Sequence, residues 1–465
     1  MGRLRTILIV GLILTAVAGF FVWYKLFRRV PTVYADPVEH FKYGSIGVEV
    51  PAGMPYWIWV VLPRIFADKL PGPGGYVALG ATWEMGQELP IGFTKEKVGI
   101  DRVGVNCAAC HTATVRGAAN EGPRIYLAAA ANRFQPQGYV RFLFDCAHDS
   151  RFNSATIMKA ILDIYDMPLI DRVLYRFVVI PVTRSQILQN EKENYYWMGE
   201  RPAWGPGRTD MNPFQRQVLR LPDDHTVGTT DIMPIWHERA REGMLHHSDG
   251  LSPSLVESVR GAALAAGATR SSIQIASLDR VQAWLMDVQP PQYPFGINQA
   301  LASQGEPIYK RLCADCHAAG GSRTGKVIPL AEIGTDPRRN RHWSQRSAEA
   351  FNHFADGYPW GFHQFRASDG YLSPLLDGIW LRAPFLHNGS VPSLWEILQP
   401  AASRSKIFQR GCDTYDRTNL GFLCTEQGTF RYDTSIPGNG NGGHEYGTAL
   451  IDSEKQALLE YLKTF

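Results

Sequence analysis

Two copies of the pattern Cys-x-x-Cys-His constrain this chain more than any other feature of its 465 residues. One copy spans residues 107–111 and the other spans residues 313–317. In this pattern two thiols add across the vinyl groups of a haem, and the imidazole that follows becomes an axial ligand of the iron. The sequence therefore predicts two covalently attached c-type haems, bound through Cys107, Cys110, His111, Cys313, Cys316 and His317.

Chance and the other uses of paired cysteines are weaker explanations. With 7 Cys and 13 His in the chain, two accidental copies have a probability of roughly one in a hundred thousand. A zinc site or a redox dithiol also uses Cys-x-x-Cys, but neither requires a His directly after both pairs. Haem attachment remains the preferred interpretation.

The second axial ligand of each iron separates electron carriers from catalysts. No Met follows Met286, so His/Met ligation of the second haem would need a sulfur from the other domain. The imidazoles available after the second motif belong to His342, His353, His363, His387 and His444. Context favours His387, in a tight turn, and His444, in the Gly-rich loop of residues 438–444. The alternative for that loop is a flexible linker.

The first haem has no clear second ligand in the sequence. His148 is the nearest downstream His, and the pair His246 and His247 follows much later, just before Asp249-Gly250. The pair is either a solvated turn or a distal acid–base group beside an open first iron. We expect an open iron to meet O2 or H2O2.

The N-terminus predicts a membrane anchor over residues 1–30. Residues 6–24 are uncharged and long enough to span a bilayer core, with basic residues on both sides. Ala16-Val17-Ala18 also fits a signal-peptide cleavage site, but the apolar run continues to Trp23, which favours an uncleaved helix. Because c-type haem is attached outside the cytoplasm, we expect the haems on the periplasmic face of a bacterial inner membrane.

The remaining chain divides at Pro290-Pro291, which follows an amphipathic helix over residues 277–288. We predict a mainly α fold with two cytochrome c-like haem domains, residues 31–290 and 291–465, and long ordered loops. Helices are expected from Glu306 with Pro307 at its opening, and near the C-terminus with a cap at Asp452 or Ser453.

Three further features complete the sequence predictions. The apolar cluster of residues 169–180 could be a second membrane span, but three charges interrupt it, so a buried helix is preferred. Cys412 and Cys424 are expected to form a disulfide, and Cys146 to be a buried thiol.

Since 47 Lys+Arg balance 44 Asp+Glu without a long basic run, no nucleic-acid partner is expected.

The chain resembles the dihaem cytochrome c peroxidase superfamily, and within it the branch that includes the haem-dependent rubber oxygenase. The segments that carry the resemblance are residues 44–59, 106–114, 234–236, 291–295, 378–380, 383–392 and 438–447. The resemblance implies that His444 is the distal ligand of the second haem, His387 a structural residue, and Trp236 an aromatic side chain between the haems. It also suggests Ca2+ between the domains, although no motif here requires one.

The resemblance implies electron transfer through the second haem and a peroxidase- or oxygenase-like reaction at the first, where His246, His247 and Trp236 are the candidate catalytic residues. Classical dihaem peroxidases place a removable His shortly after the first motif, and this chain has none before His148. That departure favours the oxygenase-like branch. The alternatives are a pure electron carrier, or a subunit that oxidises a partner protein. A periplasmic or membrane electron donor or acceptor is expected as partner.

Overall fold

The computed structural model describes residues 2–424 and 429–465. Helices make up 44% of the chain. Those that precede the diproline are α1 (Gly2–Leu26), α2 (Pro37–Tyr43), α3 (Glu49–Ala52), α4 (Tyr56–Ile65), α5 (Cys107–Cys110), α6 (Pro136–His148), α7 (Ser154–Leu162), α8 (Leu169–Leu174), α9 (Ile180–Asn194), α10 (Leu255–Ala265) and α11 (Ile275–Asp287). Those that follow it are α12 (Gln299–Leu312), α13 (Ala314–His317), α14 (Leu330–Ile333), α15 (Arg338–His342), α16 (Gln345–Phe354), α17 (Leu394–Ile397) and α18 (Asp452–Leu462).

The strands are short and all of their pairings are antiparallel. They are β1 (Arg29–Val30), β2 (Met54–Pro55), β3 (Phe93–Val98), β4 (Ile100–Val105), β5 (Thr112–Val115), β6 (Arg124–Leu127), β7 (Arg208–Thr209), β8 (Thr230–Asp231), β9 (Val327–Pro329), β10 (Gly370–Leu372), β11 (Ile407–Arg410), β12 (Thr414–Asp416), β13 (Gly421–Leu423) and β14 (Phe430–Asp433). One sheet has the order β1-β3-β4-β2, and the other strands form the pairs β5-β6, β7-β8, β9-β10, β11-β14 and β12-β13. The helices therefore carry most of the architecture, as expected from the sequence.

One hydrophobic core contains residues from both sides of the diproline. It joins Ala108 of the first motif, Trp236, Tyr309 at the end of α12, Trp380 and Leu458 of α18. Three further cores lie around α4, around α16 and around α10. The division into two haem domains at Pro290-Pro291 stays a prediction.

The structure contains one helix, among the residues it describes, that is long and apolar enough to cross a membrane. This helix is α1, over Arg5–Lys25, and none of that span is buried within the protein. A signal sequence near an N-terminus has the same length and composition.

The apolar cluster of residues 169–180 is a surface element, so the expected buried helix was wrong. The segment runs through α8, a π turn (Tyr175–Val179) and the start of α9. Tyr175, Val179 and Ile180 face the protein, whereas most of the other apolar side chains are exposed. The reason is that this segment packs on α7 and α9 with one side only.

The cysteine predictions are confirmed. Cys412 and Cys424 form a disulfide. Cys146 lies fully buried in α6.

Two helix starts differ from the sequence prediction. Helix α12 begins at Gln299, where the Asn298 side chain accepts a hydrogen bond from the Leu301 N–H at 3.1 Å, and Pro307 lies inside the helix. Helix α18 begins after Ile451, whose N–H donates to the Glu454 carboxylate at 3.2 Å. In both helices a side-chain oxygen accepts a hydrogen bond from a backbone N–H of the first turn. These contacts lie at residues other than the predicted ones, and they mark where each helix starts.

Helices α12 and α18 cross at Gly305, in the middle of the helix that leads into the second motif. A Cβ atom at this position would lie 2.0 Å from the Ala457 carbonyl oxygen. The absence of a side chain therefore allows the two helix backbones to touch.

We expect Gly305→Ala to separate α12 from α18 and to lower the free energy of unfolding by about 1–3 kcal/mol, as overpacked substitutions do. Denaturant unfolding of the haem-loaded protein measures this change. Gly296→Ala is the matched control, because a Cβ there meets nothing within 4 Å. Equal stability of the two variants would contradict the close crossing.

Candidate haem sites

The first Cys-x-x-Cys-His motif forms α5, a single helical turn. Asn106 caps it, since its Oδ1 accepts a hydrogen bond from the Ala108 N–H at 2.9 Å. The amide nitrogen of Asn106 donates to the carbonyls of Phe41 and Gly44, at 2.9 Å each. One side chain thus fixes the turn that carries both cysteines to the end of α2.

His111, which ends the first motif, is oriented by a backbone carbonyl. Its Nδ1 lies 2.8 Å from the Met233 carbonyl oxygen. Since a carbonyl can only accept, Nδ1 carries the proton and Nε2 keeps its lone pair. Burial lowers the pKa of His111 to about 4, so the ring is neutral at pH 7. A neutral imidazole with Nε2 available is the form that binds a metal ion.

His317, which ends the second motif, has the same arrangement. Its Nδ1 lies 2.7 Å from the Pro374 carbonyl oxygen, and burial lowers its pKa. Both motif histidines therefore have a neutral ring with Nδ1 paired to a backbone carbonyl and Nε2 available.

His444 faces His317. The two ring centroids are 6.2 Å apart, with an angle of 46° between the ring planes. Two metal–imidazole bonds of about 2 Å each, added to the two ring radii, give about 6 Å between centroids. Burial, and then the neighbouring His317, lower the pKa of His444 to about 4. The spacing and the neutral rings fit one metal ion between the two imidazoles.

The loop that carries His444 is a packed structure rather than a linker. Gly443 has φ +75°, and a Cβ there would lie 2.3 Å from the Gly334 carbonyl carbon. His444 itself has φ +49° and donates its N–H to the Ile333 carbonyl at 2.8 Å. The glycines thus let the loop lie directly against the end of α14.

Arg404 is a site residue that the sequence reasoning missed. Its buried guanidinium donates to the carbonyls of Asn441 at 2.7 Å, Gly443 at 2.8 Å and His444 at 3.2 Å. Carbonyls of a glycine-rich loop seldom find partners within the loop, so this one side chain supplies them. No local pattern marks Arg404, because its partners lie some 40 positions further along the chain.

His387, the other candidate opposite His317, lies elsewhere. Its ring stacks on Tyr371, with centroids 3.7 Å apart and an interplanar angle of 11°. Burial lowers its pKa to about 3. Of the two candidates, His444 is the one that faces the second motif.

Trp236 lies between the segments that orient the two motif histidines. It is fully buried, three residues after Met233, whose carbonyl contacts His111. On the other side, a Cβ at Gly378 would lie 2.5 Å from Trp236 Cζ2, and Gly378 follows Pro374 by four residues. The indole therefore belongs to the segment that orients His111 and packs against the segment that orients His317.

His246 and His247 are attached to the β9–β10 pair. The Leu245 N–H donates to the Gly325 carbonyl at 3.2 Å, and the Leu372 N–H donates to the Ser248 carbonyl at 2.8 Å. His247 is half-buried with φ +68°, and its ring centroid lies 5.9 Å from that of Phe365. Among the described residues neither ring contacts His111, so their role at the first iron stays a prediction.

A buried charged cluster surrounds this region. Asp377 accepts hydrogen bonds from Arg241 and Arg382, at 2.6 Å each. His246 Nδ1 lies 3.6 Å from the Glu238 carboxylate. Burial raises the pKa of Glu238 to about 7, and burial followed by Arg241 lowers the pKa of His246 to about 4.

Buried guanidinium groups with unused N–H donors fit the propionate carboxylates of a haem. Arg208 Nε and Nη2 and Arg339 Nε and Nη1 find no acceptor among the described residues. Arg339 already has an ionic partner, since its Nη2 lies 3.2 Å from the Asp249 carboxylate. Arg208 has no ion pair among the described residues, and a carboxylate would satisfy its free donors with charge-assisted hydrogen bonds. Arg208 is therefore the stronger of the two candidates to bind a haem propionate.

The structure offers little to a calcium ion. Among the described residues, Glu200, Asp223 and His225 form one surface group that could hold a metal. Asp223 already accepts a hydrogen bond from Arg201 at 2.5 Å, and Ca2+ prefers six to eight oxygen ligands. This group does not fit the calcium that the family resemblance suggests.

Comparison with known proteins supports a cytochrome. Residues 370–409 match the family described as RoxA-like, cytochrome c-like, which supports the rubber-oxygenase-like branch. Two curated relatives come from Sinorhizobium fredii (strain NBRC 101917 / NGR234). "Uncharacterized protein y4iJ" is 32% identical over 246 residues, covering 38% of this chain and 41% of the relative. "Uncharacterized protein y4iM" is 29% identical over 287 residues, covering 50% of this chain and 64% of the relative. The matches span less than two thirds of either relative, and the cytochrome c-like region implies c-type haem with iron.

The burial of Glu238 predicts that the free energy of unfolding depends on pH. Its pKa is about 7 in the folded chain and near 4.5 when exposed, so the folded state disfavours the ionised carboxylate. Stability relative to Glu238→Gln should fall as pH rises from about 4.5 through 7, by at most about 3 kcal/mol. Denaturant unfolding at pH 5 and pH 8 measures the difference. Glu242→Gln, which changes an exposed neighbour, is the control and should show no such pH dependence. If the stability of both variants changes with pH in the same way, the effect of burial is contradicted.

Proposed function

We propose that this chain is a membrane-anchored, periplasmic dihaem c-type cytochrome. In this proposal the haem of the second motif transfers electrons, and the haem of the first reacts with O2 or H2O2. The observation that carries the proposal is the inequality of the two sites: His444 faces His317 at 6.2 Å, whereas no described imidazole ring lies opposite His111 in this way. Bound haem supplies one-electron and oxygen chemistry.

The second site suits electron transfer because its residues leave no open position. His317 and His444 are both neutral. The His317 ring is oriented by the Pro374 carbonyl, and the backbone of His444 is fixed by its N–H, which donates to the Ile333 carbonyl. Residues held this way need little rearrangement when the charge between them changes, which favours fast electron exchange.

The first site suits reaction with a small molecule because the protein supplies one oriented ring. Met233 fixes His111 on one side. The position that faces the His111 ring, which His444 fills at the second site, is left to a diatomic ligand or peroxide. Trp236, packed toward both sites, supports an electron path between them.

A pure electron carrier is the second candidate function. The packing of Trp236 against both of the segments that orient the motif histidines is also compatible with this function, because a path between haems serves electron transfer with or without a reaction at the first one. In either case we propose a periplasmic or membrane electron donor or acceptor as partner.

The anchoring part of the proposal is supported by α1. The helix is exposed along its length, and Trp23 and Tyr24 near its end are residues typical of a membrane–water interface. Carbonate extraction of membranes tests it: an anchored chain stays in the pellet, whereas a chain released by signal cleavage is found in the supernatant.

Carbon monoxide binding to the ferrous protein tests the two sites. We expect one CO per chain in the unmodified protein, and two in His444→Ala, which opens the second site. His353→Ala, at a largely exposed ring, should still bind one. No CO binding by the unmodified protein would contradict an open first site, and unchanged binding by His444→Ala would contradict the assigned ligand.

Arg404 is predicted to act as a positioning residue for His444. Arg404→Met removes the donors to the loop carbonyls while keeping the length of the side chain. We expect a loss of low-spin ferric EPR signal from the second site and additional CO binding, although His444 is still present. Arg346→Met, at an exposed position of α16, is the control. A spectrum identical to that of the unmodified protein would contradict this role.

Turnover separates a catalyst from a carrier. Peroxide-dependent oxidation of a reduced small cytochrome is expected from a peroxidase, and O2 uptake with an organic substrate is expected from an oxygenase. Absence of both, in protein whose first site binds CO, would favour the carrier.

A further inference from the structure

The segment from α8 to the start of α9 presents an apolar face to solvent. Leu169 at 75%, Phe177 at 68% and Val173 at 52% are among the most exposed apolar side chains outside α1. The complete face consists of Leu169, Ile170, Val173, Phe177, Val178 and Val182. A continuous apolar surface of this kind marks an interaction site.

The π turn aligns this face. Nine residues of regular α-helix would place Val182 about 180° around the axis from Val173. The π turn at Tyr175–Val179 accommodates one extra residue, which reduces that angle to about 80°. The apolar side chains before and after the turn therefore lie on one side of the segment.

The face lies where α1 ends. Lys25 Nζ, in the last turn of α1, contacts the Asp171 carboxylate at 2.7 Å. If α1 spans a bilayer, Lys25 lies at the level of the lipid headgroups, and Asp171 lies there too. Leu169, Ile170 and Val173 belong to the same short helix as Asp171, so the first turn of the face lies at that level as well.

The length and charge of the segment suit a position in the interface rather than across the membrane. Residues 169–182 extend for only about 20 Å, against about 30 Å for a bilayer core. The exposed Arg176 lies within the face, and Arg28 lies just beyond α1. Basic side chains beside an apolar face are typical of helices that bind among anionic headgroups.

We infer that the face of residues 169–182 is a second membrane contact, inserted in the outer headgroup region of the bilayer that α1 spans. The inference rests on the proposed anchoring of α1. With two contacts, the haem-bearing part of the chain has one orientation toward the membrane instead of turning freely about a single helix. Both candidate haem sites would then lie at fixed heights above the lipid.

Site-directed spin labelling of the full haem-loaded chain in vesicles containing anionic lipid tests this inference. Phe177→Cys and Val173→Cys provide label positions on the face, and Gln304→Cys provides an exposed control on α12. The native cysteines do not interfere, because the motif thiols bind haem, Cys412 and Cys424 form a disulfide and Cys146 is buried.

The measurement compares the accessibility of each label to O2, which concentrates in lipid, and to a water-soluble nickel chelate. We expect labels at 177 and 173 to be at least several-fold more accessible to O2 relative to nickel than the label at 304. Equal ratios at all three positions, in protein that resists carbonate extraction, would overturn the membrane contact and leave the anchor intact.

Two other outcomes also overturn it. Low accessibility to both reagents at 177 and 173 would show that protein covers the face, either a second copy or another partner. Release of the chain by carbonate would instead contradict the anchoring on which the inference rests. The haem absorption spectrum of each labelled variant, compared with that of the unmodified chain, shows that the fold is kept, and the two face positions serve as replicates.

Discussion

The Nδ1 atom of each motif histidine is hydrogen-bonded to a backbone carbonyl, that of Met233 for His111 and that of Pro374 for His317. This contact decides which ring nitrogen carries the proton and therefore which one can bind a metal ion. Both carbonyls come from segments far along the chain, so the ligand geometry exists only after those segments have packed. The buried Trp236 and the Gly378 turn belong to the same packing, which links the orientation of one histidine to that of the other.

The two sites differ in whether a second imidazole faces the motif histidine. At the second site, a glycine-rich loop brings His444 to face His317, and the buried Arg404 binds the loop carbonyls. A loop with so few side chains has little surface to bury, so its order depends on backbone hydrogen bonds. At the first site the chain provides no comparable loop among the described residues. That asymmetry is the physical basis for the proposal that one site transfers electrons and the other reacts with a small molecule.

The proposed position of the protein relative to a membrane rests on two features that are far apart in sequence. Helix α1 has the length of a span, and the face of residues 169–182 lies beside its end through the Lys25–Asp171 ion pair. A single helix allows rotation about its axis, whereas a second contact removes that freedom. Fixed orientation would matter for an electron carrier, because the rate of transfer depends on how closely a partner at the membrane can approach.

The sequence by itself determined what depends on local spacing. The Cys-x-x-Cys-His pattern needs only adjacent residues to predict thioether attachment, and length and composition suffice to identify α1. The Cys412–Cys424 pairing and the buried Cys146 were also predicted correctly. The tertiary structure decided what depends on distant contacts: that His444 rather than His387 faces His317, that Arg404 donates to the loop carbonyls, and that burial raises the pKa of Glu238. The tertiary structure also corrected the predicted burial of residues 169–180. An apolar run does not by itself decide whether protein covers it, because that depends on the arrangement of the neighbouring helices.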